Sequence, residues 1–86
     1  MKLYKVSQTV RRHYDTYASA IVAAKDEEEA KTIHPGGPIY HDRWENSGYA
    51  AIFDNWCALT DVEVEYIGEA KEKTRKGVIL AAFDVG

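Results

Sequence analysis

Cysteine, proline and methionine are almost absent from this 86-residue chain: it has one cysteine, two prolines and one methionine. Each scarcity excludes something. A lone Cys57 cannot form an intramolecular disulfide, and no cysteine pair exists on which to build a zinc knuckle. A small buried thiol is the simplest use of such a residue. Nowhere does an apolar run approach the roughly 18 residues that a membrane-spanning helix requires. The opening "MKLYKVSQ" has no apolar stretch behind its lysine, so neither an export signal nor a membrane segment is expected. Positive charge is also short: 11 Lys and Arg stand against 14 Asp and Glu, a net charge of −3. A direct nucleic-acid binder usually presents a strongly basic face, so none is expected here. Two local basic clusters, "RRH" at 11–13 and "KEKTRK" at 71–76, fall where turns are expected.

What remains is a single globular domain spanning 1–86. A chain of this size buries only about 60% of its unfolded surface, so most large apolar residues are committed to the core. Residues 2–8, "KLYKVSQ", read as a half-buried strand. Residues 15–24, "DTYASAIVAA", carry small and β-branched side chains on both faces, as a strand with two neighbours would. "KDEEEAKTIHP" places Asp26 as N-cap and Glu29 three positions on. Glu27 and Glu28 fill the first turn, where the helix dipole favours anions. Pro35 stops this short helix. "DVEVEYI", 61–67, alternates strictly, with Val62, Val64 and Tyr66 on one face and Glu63 and Glu65 on the other. The final "GVILAAFDV" is apolar on both faces, which predicts an inner strand. These elements define an α+β fold: an antiparallel sheet of about four strands, one short helix packed on a face, and a long irregular or partly helical insertion before the third strand.

That insertion, "HPGGPIYHDRWENSGYAAIFDNWC" at 34–57, holds both tryptophans. Tyr49, Ile52, Phe53 and Trp56 fall at helical spacing, with Asn46 or Ser47 as a cap. "HPGGP" reads as the stop of the preceding helix, because a phosphate cradle wants its glycines before a helix rather than after one. His34, His41 and Asp42 have metal-ligand chemistry but no metal-site spacing. No serine sits in a nucleophile elbow, and Cys57 is distant in sequence from every histidine. Neither an enzyme, nor a metal, nor a cofactor is expected. Tyr40, Trp44, Tyr49 and Trp56, interleaved with His41 and Arg43, have the chemistry to stack on a ring and pair an anion. Trp and Arg are also the usual anchors of a protein interface. The plainer alternative puts Ile52, Phe53 and Trp56 in the core and leaves Tyr40, Arg43 and Trp44 facing outward.

At "YDTYASAIVAAKDEEEAKTIHP", residues 14–35, with "EVEYIGEA" at 63–70 and "KGVILAAF" at 76–83, the chain resembles small proteins of tailed bacteriophages and prophages. It departs from them at Ala18, where relatives often carry Asp, and at "RRH", where their turn is Asn- and Gly-rich. The resemblance implies a phage origin and the cytoplasm of a bacterial host cell. By analogy with other small phage proteins, it implies stoichiometric, non-enzymatic binding that counters a host defence system. The expected partner is a defence effector such as a CRISPR complex, an anti-CRISPR role, with the acidic helix start or the Glu63/Glu65 face imitating nucleic-acid charge. An oligomeric sponge for a nucleotide second messenger is the alternative, and a phage structural or assembly factor a third. Binding residues are expected among Tyr40, His41, Arg43 and Trp44, with Arg11, Arg12 and Tyr14 in the "RRHY" turn. The edge strands leave homo-oligomerisation open.

Overall fold

The computed structural model describes residues 1–10, 16–52 and 55–84. Four strands and two helices run in the order β1 Lys2–Ser7, β2 Thr16–Ala24, α1 Glu27–Lys31, α2 Pro38–Asn46, β3 Glu63–Glu69 and β4 Gly77–Asp84, with a single 3-10 turn, Leu59–Asp61, before β3. All pairings are antiparallel and the strand order is β3-β1-β2-β4. The architecture is the expected α+β sheet with helices on one face. Among these described residues no helix is long and apolar enough to cross a membrane.

β2 is an inner strand, as its two apolar faces require, pairing with β1 through Tyr4↔Val22 and Val6↔Ala20 and with β4 through Val22↔Val78. Tyr4 and Val6 of β1 and Ala20, Val22 and Ala24 of β2 line the sheet's helix-covered side together with Val62. The alternation of Val64 and Tyr66 against three exposed glutamates then fits β3, which lies at one edge of the sheet. β4 corrects the sequence reading. Its apolar run predicts an inner strand, yet among the described residues it occupies the other edge and pairs with β2 alone. Composition reports how dry a strand's faces can be, whereas edge position is set by how the chain crosses the sheet.

α1 forms as its cap signals require. Asp26 accepts a hydrogen bond from the Glu29 N–H at 2.8 Å, and the Glu29 carboxylate accepts from the Lys25 N–H at 3.1 Å. The three glutamates sit in the first turn. Five residues cannot persist as an isolated helix, and Ala30 and Ile33 tie this one into the core. It ends at Lys31, and the Thr32 hydroxyl donates to the Glu29 carbonyl at 2.8 Å.

α2 is the second correction. The insertion is partly helical as expected, but its helix lies over Pro38–Asn46 rather than at the helical spacing of 49–56, where no described residue is helical. "HPGGP" therefore does two jobs: it follows α1 and also starts α2, with Gly37 at φ 96° as N-cap and Pro38 at the first position. A left-handed φ suits glycine, and proline suits a position whose N–H would have no helical acceptor. At the other end Gly48 (φ 74°) and Tyr49 (φ 61°) both turn left-handed, and the Tyr49 N–H reaches back to the Trp44 carbonyl at 2.8 Å. That reversal stops the helix before the periodic residues begin. A left-handed tyrosine is uncommon, and this one is held by its side chain. Its ring meets Trp44 edge-on at 4.9 Å, and its hydroxyl donates to Glu45 at 3.3 Å.

Candidate partner-binding surface

The floor of the surface is an aromatic cluster around His34. The His34 ring is fully buried, stacked on Tyr40 at 5.1 Å and 14°, and met edge-on by Trp44 at 5.7 Å and by Tyr17 at 6.2 Å. Trp56 closes another side at 6.2 Å. His34 Nδ1 accepts the Gly36 N–H at 2.8 Å, so Nδ1 carries no proton and the ring's hydrogen lies on Nε2. Asn55 is a polar side chain beside the ring. Burial pushes the His34 pKa down to about 4. The nearby His41 adds to the effect, and Asn55 opposes it. His34 is thus a neutral structural residue at physiological pH.

Gly36 is what lets the turn close over this ring. A Cβ there would lie 2.5 Å from Tyr40 Cδ2 and 3.1 Å from His34 Nδ1, closer than real side chains pack. The loop is then pinned at its flank by His41, whose Nδ1 faces the Thr32 carbonyl at 2.9 Å and whose Nε2 faces the Glu45 carboxylate at 3.1 Å. Both neighbours are acceptors, so a protonated His41 donates to both. This residue joins the end of α1 to the middle of α2.

With the inner face of α2 fixed in this way, its outer face is defined. Trp44 is 1% exposed, which corrects the expectation that it faces outward: four residues after Tyr40, it shares that residue's helix face and packs inward. Arg43 and Asp42 are exposed, Tyr40 and His41 half-buried. Ile39, four residues before Arg43, is 80% exposed. Ile39 and Arg43 therefore stand on one outward stripe, with Tyr40 and His41 at its border. Of the remaining aromatic candidates, Trp56 is core, Tyr49 is half-buried against Trp44, and Ile52 is exposed rather than buried. Arg11, Arg12 and Tyr14 lie outside the described residues, as does Phe53.

Ile39 is the residue that sequence reasoning missed. The signal was available: Tyr40 and Trp44 at i and i+4, after a Gly-Pro start, place residues 39 and 43 on another side of the helix.

Beside the stripe a cavity of about 160 Å³ opens between the turn and the start of β4, bordered by Thr32, Gly37, His41, Lys76 and Val78. Among the described residues no group of three His, Cys, Asp or Glu converges as a metal site, and Cys57 is buried in the core. In comparison with known proteins, no family model, no curated protein and no solved structure matches this chain.

Proposed function

We propose that this chain is a non-enzymatic binding protein of phage type that counters a bacterial defence system by occupying a defence effector protein through the outer face of α2. One observation carries the choice of surface: a large apolar side chain, Ile39, stands 80% exposed on a helix whose opposite face is locked into the core by Trp44. Binding through a rigid element loses little conformational freedom. Arg43 beside it supplies a charged anchor of the kind found at interface hot spots, with Tyr40 and His41 at the rim. Trp44 takes the role of support rather than anchor. The phage attribution rests on the sequence resemblance at 14–35, 63–70 and 76–83. A net charge of −3 favours a basic effector over an anionic nucleotide.

The nucleotide-sponge reading ranks second. The pocket with Lys76 and His41 at its border measures about 160 Å³, smaller than the roughly 300–1,000 Å³ of typical small-molecule sites, and a larger one of about 310 Å³ is bordered by Glu27 and Glu28, which repel an anion. Phage plaque counts on bacterial hosts, each carrying a single defence system, test the proposal. Expression of the chain should restore plaques against at least one system, and Ile39→Ala with Arg43→Ala should abolish that rescue. Rescue against none of the systems overturns the reading. Recovery of an intact nucleotide from the heat-denatured protein would replace it with the sponge.

A further inference from the structure

The two edges of the sheet differ in chemistry. β3 exposes Glu63, Glu65 and Glu69, and its ladder to β1 is broken by a register shift beside Ile67. Charge and irregularity are the usual devices that keep an open strand from pairing with another chain. β4 shares the irregularity, with two register shifts against β2, but not the charge. From Gly77 to Phe83 it carries no charged residue, and between its register shifts at Ile79 and opposite Ala18 it pairs in step as Leu80↔Ile21, Ala81↔Ala20 and Ala82↔Ser19. Its apolar side chains are left in the open: Ile79 is 53% exposed, Leu80 68% and Phe83 42%.

We infer that β4 is an interface for a second copy of this chain, pairing edge to edge and antiparallel about a two-fold axis so that the two sheets join into one. The strand composition is that of an inner strand, and pairing makes it one. A two-fold arrangement presents β4 to itself, so neutral meets neutral, and both open ladders are satisfied in one closed contact. Pairing of β3 with β3 would set glutamates against glutamates. Pairing of β4 with β3 would desolvate them and leave a free edge at each end. Small side chains at Ala81 and Ala82 let the two backbones approach.

The area fits a reversible dimer. At roughly 200 Å² for a large side chain, Ile79, Leu80 and Phe83 leave about 300 Å² of apolar surface open on each copy. Edge pairing covers the main chain and the flanks of these side chains, which stand out of the sheet plane, so the contact stays below the approximately 1,000 Å² at which specific interfaces begin and the dimer is weak.

Sedimentation equilibrium of the full chain, from low micromolar to millimolar concentration, tests this. The mass should rise from 9.7 kDa to twice that value and stop. Leu80→Lys should hold the protein at the monomer mass at every concentration with its far-ultraviolet circular dichroism unchanged. Ile67→Lys, at the 44% exposed position on the opposite edge, should associate as the parent does. In the unmodified chain, the β4 amides that do not bond to β2 should exchange more slowly with solvent as concentration rises. A mass of 9.7 kDa throughout, a Leu80→Lys protein that still dimerises, loss of association in Ile67→Lys, or growth beyond the dimer would each overturn the inference.

Discussion

Tyr40 and Trp44 on one side of α2, and Ile39 and Arg43 on the other, are one position apart in sequence and belong to different parts of the molecule. The inner pair packs on a buried, neutral His34 and closes the helical layer over the sheet. The outer pair contributes little to that core. The helix therefore has a buried side at Trp44, an exposed side at Ile39 and Arg43, and a border of half-buried Tyr40 and His41 between them. Composition alone does not separate them, since a tryptophan and an arginine at 43 and 44 look equally suited to an interface. The helical period does.

The division yields predictions of graded size. Trp44→Ala removes a fully buried indole and should cost about 3–5 kcal/mol, a large share of the 5–15 kcal/mol typical of a domain. Urea unfolding would measure it, and a loss below 1 kcal/mol would place Trp44 outside the core. The His34 ring gives the second effect. It titrates near 4 when folded and near 6.5 when unfolded, so between those values the unfolded chain binds the extra proton and stability falls as pH falls. The loss through that window should approach about 3 kcal/mol. It should shrink in His34→Gln, and an unchanged pH slope in that variant would contradict the assignment. Gly36→Ala forces a methyl against the Tyr40 ring and should cost roughly 1–3 kcal/mol, read as a lowered midpoint without change of slope. Smallest of all, Ile39→Ala with Arg43→Ala should alter stability by no more than about 0.5 kcal/mol.

Much of the scaffold was legible in the sequence because local signals and tertiary structure agree there. Asp26 and Glu29 announce α1 by capping chemistry that needs no partner, and the alternation of Val62, Val64 and Tyr66 matches a strand with one wet face. β2 reads correctly as an inner strand. Legibility ended where one signal served two elements or where topology decided. "HPGGP" contains a stop and a start in five residues, so reading only the stop moved the expected helix to 49–56. Spacing favours a helix there, but left-handed Gly48 and Tyr49 prevent its continuation from α2. β4 reads as inner from its side chains and is placed at an edge by the path of the chain, information that no window of residues contains. Within the candidate site, the sequence places Tyr40, His41 and Arg43 close together along the chain. Trp44 was assigned to the wrong side and Ile39 was missed, both because that helix was not recognised.

Under the proposed function, the outer face of α2 binds while the inner face folds. The decisive measurement is the plaque count on single-defence hosts, made with the parent chain and with the Ile39→Ala, Arg43→Ala protein. The account predicts a protein with the parent's unfolding midpoint that no longer restores plaques, a weakening of 2 kcal/mol or more at a binding hot spot. Full rescue by that folded variant would contradict it.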